Sequence, residues 1–231
     1  MIELQNITKS FGDRNVVENI SFKFQEGKTN LVIGESGSGK TTLLKIMVGL
    51  HQPNSGAVLY DGRNFTALTE KEKQGVRKEI GMLFQGGALF DSMTLEQNVK
   101  FPLDMFTEMT EAEKVDRVNF CLEKVKLVDK NALFPSELSG GMKKRAALAR
   151  AISNSPNYLF CDEPNSGLDP KTSIVIDELI HDITAEFNIT TIIITHDMNS
   201  VMQIGENVMF IYKGQNWWTG TKDEILKTNN K

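Results

Sequence analysis

Cysteine is nearly absent from this chain: two among 231 residues, Cys121 and Cys161. Each sits in an apolar segment, so the expectation is a pair of reduced, buried thiols and no disulfide framework. An excess of positive charge is lacking too. Lys and Arg number 26 against 30 Asp and Glu, for a net charge of −4. A nucleic-acid binder shows a basic imbalance, so nucleic acid is not expected as a partner. Apolar runs are short. The longest, such as "TIIIT", are strand-length and fall far below the ~20 residues of a membrane-spanning helix. The opening "MIELQNITKS" has no basic stretch followed by an apolar run, as a secretion signal would. The chain is therefore expected in the cytoplasm, with any membrane role exercised through a partner. Internal repeats, low-complexity tracts and linkers are missing as well.

What is present is an ordinary globular composition, 40% hydrophobic and 24% charged, in a length that suits one domain with a sizeable core. Strand-like segments open the chain: "IELQNITKSF", "VVENISFKF", "TNLVIG" and "GAVLYDG". Thr69 with Glu72 and Thr110 with Glu113 read as capping boxes. The second opens a helix with Val115, Val118, Leu122 and Val125 on its apolar face. From about 88 to 155 the pattern is helical. Strands return as "YLFCDEP" and "TTIIITHD", separated by a helix that aligns Ile176, Leu179, Ile180, Ile183 and Phe187. "NVMFIYKG" and a polar tail end the chain, and Trp217 and Trp218 are expected to anchor a last hairpin or face a partner. Alternating strands and helices with nearly continuous apolar strands indicate an α/β fold with a buried parallel sheet. The strand-rich opening and the helical middle read as elaborations of it.

Chemistry concentrates in a few places. "GESGSGKTT" fits G-x-x-x-x-G-K-[ST] after an apolar strand and before a helix, the context that phosphate binding requires. Backbone N–H groups of such a loop turn toward phosphate oxygens, and the helix N-terminus adds partial positive charge. Gly34, Glu35, Ser36, Gly37, Ser38, Gly39, Lys40, Thr41 and Thr42 are thus expected around a nucleotide, with Lys40 on the β- and γ-phosphates and Thr41 on Mg²⁺. Asp162 and Glu163 end an apolar strand, at the sheet edge where open α/β folds bind ligands. Asp162 suits Mg²⁺, and Glu163 a water-orienting or general-base role. His196 closes the next strand at the same edge, in reach of a γ-phosphate. Gln85 follows another short apolar run. Its amide suits a metal-bound water, although spacing alone equally allows a surface glutamine. His51 and His181 read as ordinary surface residues. "SELSGGMKKRAALARA" reads as a basic helix capped by Ser139.

Taken in order, these motifs resemble the ATP-binding cassette (ABC) ATPases over about residues 2–222. The resemblance rests on the Walker A loop at 34–42, Gln85 as the Q-loop, "LSGGM" at 138–142 as the signature, "LFCDE" at 159–163 as Walker B, "SGLD" at 166–169 as the D-loop and His196 as the switch histidine. It implies a single ABC ATPase domain, a P-loop NTPase (RecA-like) core with an N-terminal antiparallel β subdomain (1–84 and 159–222) and an inserted α-helical subdomain (85–158). It implies ATP and Mg²⁺ as cofactors, with Thr41, Asp162 and Gln85 on the metal and Glu163, His196, Gln85 and Lys40 in catalysis. Phe11 is implied on the adenine ring. A head-to-tail homodimer is implied as well, in which Ser139 and Gly141 contact the γ-phosphate bound by the other copy, and Gly140 and Asp169 are implied among the nucleotide-binding residues. The cluster Lys143, Lys144 and Arg145 is then expected as a solvated or dimer-facing surface. Met142 and Asn165 depart from the family pattern, which more often has glutamine at the first position and threonine, alanine or an aromatic at the second.

Residues 83–103 and 135–151 closely resemble the ATPase subunits of MCE-associated, Mla-type phospholipid transporters. This implies two copies on two permease subunits at the cytoplasmic side of the inner membrane, with an MCE-domain partner. Phe84, Leu89, Phe90, Met93 and Phe101 are expected to line the permease groove, or in part the core of the helical subdomain. Cassettes of amino-acid, lipoprotein or cell-division type, and ABC ATPases acting on DNA or the ribosome, are the alternatives.

Overall fold

The computed structural model describes residues 1–227. The end of the polar tail, 228–231, lies outside the described residues. Two long strands, β1 (Ile2–Phe11) and β2 (Arg14–Phe24), pair antiparallel. β3 (Thr29–Ile33) leads into α1 (Lys40–Met47), after which β4 (Ser55–Tyr60) returns to β1 and the short β5 (Arg63–Asn64) joins its edge. Then come α2 (Glu70–Lys78), β6 (Ile80–Leu83), α3 (Leu95–Phe106), α4 (Glu111–Lys124), α5 (Gly140–Ile152) and β7 (Tyr158–Asp162). The chain closes with α6 (Pro170–Phe187), β8 (Thr190–Thr195), α7 (Met198–Ile204), β9 (Asn207–Tyr212), β10 (Gln215–Gly220) and α8 (Lys222–Ile225).

One sheet is antiparallel, in the order β2-β1-β4-β5; the other has six strands, β10-β9-β3-β8-β7-β6. Within the second, β9, β3, β8, β7 and β6 run parallel and only β10 is antiparallel. Both faces of this sheet are covered, which explains its continuous apolar strands. Leu31, Ile33, Leu159, Cys161 and Ile193 pack toward α5 and α6, while Val32, Tyr158, Phe160, Ile192 and Ile194 pack toward α1 and the antiparallel sheet. Cys121 and Cys161 are free and buried, and burial pushes the Cys121 thiol up to about 11.

The helical middle follows its apolar spacing. Val118, Leu122 and Val125 are buried beside Leu95, Val99 and Leu103 of α3 and the inner face of α5. Among the described residues no strand lies between Leu83 and Tyr158. Both capping boxes form, and a third, Thr94 with Gln97, opens α3. β10 completes the expected hairpin: Trp218 packs on the core, whereas Trp217 is 52% exposed and edge-on to Tyr212. Register then positions the site. Ile33 pairs with Thr195 and Asp162 with Ile194, so Gly34, Glu163 and His196 leave the sheet side by side.

Candidate nucleotide site

The loop after β3 needs glycine at its first position. Gly34 has φ 153°, and a Cβ there would collide with the Ile211 carbonyl oxygen. The loop turns through the Ser38 N–H donating to Glu35 O at 3.2 Å and runs into α1, whose first residue is Lys40. Lys40 is 6% exposed. Its ammonium folds back over the loop and donates to Gly34 O at 2.8 Å and Glu35 O at 2.9 Å. Burial lowers its pKa, opposed by the charges of Glu163 and Asp162. Thr41 is exposed and Thr42 half-buried on the first turn of α1.

Asp162 ends β7. Burial, with the neighbouring charge of Glu163, raises its pKa, and Lys45, Lys40 and Lys144 oppose the shift. Asp162 Oδ1 and Ser38 Oγ are both buried without a hydrogen-bond partner. Orphaned polar atoms are costly and rare, and a hydroxyl with a carboxylate oxygen beside a glycine cradle suits a phosphate and its cation. Among the described residues no cluster of three acidic, His or Cys side chains could hold a metal by itself.

Glu163 adopts a left-handed backbone, φ 47°, and its N–H donates to Ile194 O at 2.9 Å. This turn carries the carboxylate back to His196, whose Nδ1 lies 2.9 and 3.0 Å from the two carboxylate oxygens. The histidine is largely exposed and the glutamate side chain 14% exposed. Gln85 is exposed and its Nε2 donates to Ser166 Oγ at 3.2 Å, which joins the segment after β6 to the turn after β7.

The "LSGGM" stretch forms as a cap. Ser139 Oγ accepts the Met142 N–H at 3.3 Å. Gly141 faces α6 so closely that a Cβ would stand 2.6 Å from Thr172 Cγ2. Met142 is half-buried against the helical core. Asp169 is the N-cap of α6, accepting the Thr172 hydroxyl at 2.5 Å and the Lys171 and Thr172 N–H groups at 3.1 Å. The Thr172 hydroxyl, then the N–H bonds, hold its carboxyl below the usual range. Ser139, Gly140, Gly141 and Asp169 line one cavity, while Glu35, Ser36, Gly37 and Ser38 line another with no residue in common. One chain does not bring the two sets together. Phe11, at the end of β1, is 48% exposed, with the Lys9 ammonium 5.1 Å from its ring centroid.

Two residues of the basic cluster need correction. Lys144 is not a surface residue. It is 6% exposed and donates to the Gln85 carbonyl in a short hydrogen bond and to Glu163 O at 3.5 Å. Burial lowers its pKa, against the charges of Cys161, Asp162 and Glu163. Arg145 also turns inward, donating to Val125 O and Lys126 O at 3.2 and 2.8 Å. The signal was there: Lys144 lies on the same helical stripe as Ala147, Leu148 and Ala151. His51 lies edge-on to Phe11 at 5.5 Å, and His181 Nδ1 sits 3.3 Å from Thr29 Oγ1; both are half-buried side chains near the surface.

The ABC transporter family profile matches residues 17–166. The intermembrane phospholipid transport system ATP-binding protein MlaF of Haemophilus influenzae is 40% identical over 100% of this chain and 87% of its own. The probable ribonucleotide transport ATP-binding protein mkl of Mycobacterium leprae is 38% identical over 99% of this chain, which spans 66% of that protein. A methionine import ATP-binding protein MetN of Geobacillus kaustophilus is 38% identical over 93% of this chain and 64% of its own. Among solved structures, the dimeric MJ0796 ABC transporter cassette superposes with a TM-score of 0.87 at 31% identity, over 96% of this chain and 99% of its own. The same cassette is known in a post-hydrolysis dimer with ADP and Pi. Fold, motif geometry and these likenesses agree: the chain belongs to the ABC transporter family, as one of its ATP-binding ATPase cassettes.

Proposed function

We propose that this cassette binds ATP between two head-to-tail copies and hydrolyses it to drive phospholipid transport through a separate permease. The observation that carries the hydrolytic reading is the convergence of Lys40, the orphaned Asp162 oxygen and the Glu163–His196 pair at one sheet edge. Lys40 and the loop N–H groups hold the β- and γ-phosphates. Glu163 orients the attacking water and takes its proton as the bond from γ-phosphorus to the bridging oxygen breaks. His196, held through Nδ1, presents Nε2 to the transferred charge. Thr41, Asp162 and Gln85 would hold Mg²⁺, which supplies positive charge to the phosphates when bound. Phe11 carries the adenine, and Asp169 sets the start of α6 at the other copy's site. The separate cavity of Ser139, Gly140 and Gly141 supports a site completed in trans.

In this reading 1–84 and 159–222 form the nucleotide core with its β subdomain, and 85–158 the helical subdomain. Phe84 and Phe90 are each 40% exposed, and Phe90 packs on Phe101 at 4.9 Å, which supports a permease groove there. No helix among the described residues is long and apolar enough to cross a membrane, so membrane attachment rests on the permease. The cassette then works at the cytoplasmic side of the inner membrane, with an MCE-domain protein as lipid carrier. The MlaF likeness supports lipid as cargo; the MetN likeness supports amino-acid import as the second reading. Co-purification with the permease and lipid analysis of the complex separates them. Enriched phospholipid supports the first reading, and a lipid-free complex that binds an amino acid overturns it. Within the site, Lys40→Ala is expected to abolish MgATP binding, measured by equilibrium dialysis; retained tight binding would remove Lys40 from the phosphates.

A further inference from the structure

Behind the catalytic edge lies a polar cluster that the reactions above do not use. Asn165, Asp177 and Ser200 are 9%, 2% and 1% exposed. They come from three elements: Asn165 from the turn two residues after Glu163, Asp177 from α6, and Ser200 from the first turn of α7, four residues after His196. Asn165 Nδ2 donates one proton to Asp177 Oδ1 at 2.8 Å and the other to Ser200 Oγ at 3.0 Å. The bond to Asp177 fixes the amide orientation, because the flipped amide would set its oxygen against the carboxylate. Both Nδ2 protons are used, while Asn165 Oδ1 is buried without a partner.

Such a cluster is expensive. Burial, with the charge of Asp197, raises the Asp177 pKa against the bond from Asn165, and apolar side chains of like size fill such a place at lower cost. What it provides is position. Ser166 N–H donates to Glu163 O and Leu168 N–H to Asn165 O, both at 3.1 Å, so Asn165 sits inside the turn that begins at Glu163 and ends at Asp169. Asn165 and Asp177 line one cavity of about 820 Å³ with Glu163 and His196. Through Ser200 the same bonds reach α7, whose start follows His196.

We propose that Asn165, Asp177 and Ser200 form a positioning lock that holds the turn after Glu163 and the helix after His196 in one register, so that glutamate and histidine face the γ-phosphate together. The proposal rests on the reading of Glu163 and His196 as the hydrolytic pair. None of the three touches the reacting atoms. Their removal acts on turnover through Glu163 and His196 and leaves ATP binding at the loop unaltered.

The test uses the purified full chain in four forms: Asn165→Leu, which keeps size and loses both donors; Asn165→Asp; Asp177→Asn; and the exchanged pair, Asn165→Asp with Asp177→Asn. ATP affinity, kcat, KM and Tm are measured for each, with Glu163→Gln in parallel. Asn165→Leu is expected to lower kcat ~10-fold with KM and ATP affinity within ~2-fold, the pattern of an interaction that matters in the transition state only. Asn165→Asp, with two carboxylates in contact, is expected to be worse or to misfold. The exchanged pair restores donor to acceptor with the same net charge and is expected to recover kcat to within ~3-fold of wild type. Wild-type kcat in Asn165→Leu, a loss that only tracks the folded fraction, or an exchanged pair no better than its parents would each overturn the lock. Wild-type turnover in Glu163→Gln would instead overturn the hydrolytic reading on which it rests.

Discussion

At the scale of single residues, charge and burial pull against each other around the phosphate loop. Lys144 occupies a place from which water is excluded, held there by the carbonyls of Gln85 and Glu163. Lys144→Met keeps the length of the side chain and takes the donor from the Gln85 carbonyl, at ~1–3 kcal/mol for a buried group, while Glu163 O keeps the Ser166 N–H. A lower Tm is expected by calorimetry, with a fall in kcat larger than any change in ATP affinity. Asp162 offers the opposite sign. Burial and Glu163 raise its folded pKa, so its contribution is fully present below the unfolded value, ~3.9. It is lost as pH rises through the folded pKa. Above the folded pKa the carboxylate is ionised in both states and the folded state bears the cost. Asp162→Asn is therefore expected to raise the Tm of the ligand-free chain at pH 7, by about 2–4 °C for each ~1 kcal/mol relieved. The difference should shrink toward pH 4, and Mg²⁺-dependent hydrolysis should be lost. Met142 is half-buried on the helical core and makes no side-chain hydrogen bond in the structure. Met142→Gln is expected to leave ATPase activity within a few-fold, and a complete loss would assign the methionine a specific task.

At the scale of elements, α5 organises the segment after β6. Arg150, buried in its last turn, donates to Ala88 O at 2.7 Å and Gly87 O at 2.8 Å, while Lys144 takes Gln85 from the same helix. Movement of the α5 N-terminus is thereby tied to the stretch that carries Gln85 and Phe90. Arg150→Met is expected to lower Tm by several degrees in thermal melts, since two carbonyls lose a charged donor. An unchanged Tm would show that this strap bears no load. Much of this scale was legible in the sequence because its causes are local. A capping box spans four residues, and the phosphate loop is a strand, a turn and a helix in succession. Lys144 was not legible in the same way. Three consecutive basic residues read as solvated, and their true partners, Gln85 and the Glu163 carbonyl, lie 59 and 19 residues away. The Asn165 lock is similar: its side chain is polar, its partners are distant in sequence, and only the meeting of α6 and α7 makes it a buried site.

At the scale of the whole molecule, the division between the two sets of phosphate-seeking groups is the governing feature. The loop at 34–42 and the cap at 139–141 open into different cavities of one chain, and a head-to-tail pair would bring one copy's loop to the other's cap. Phe84, Phe90 and Met105 are exposed; Phe90 packs on Phe101 of α3, the helix that presents Met105 one turn further on, and a permease on this side would meet them. Met105→Glu is expected to abolish co-purification with the permease while basal ATPase activity stays at the wild-type level, read by pull-down and phosphate release. The central claim, an ATP site completed by a second copy, is tested most directly by the solution mass of Glu163→Gln with and without ATP, measured by light scattering after gel filtration. If Glu163 is the general base proposed above, its loss leaves binding intact and blocks turnover, so the mass should move from that of one 25.9 kDa chain to that of two when ATP is added. A single-chain mass at saturating ATP would contradict it.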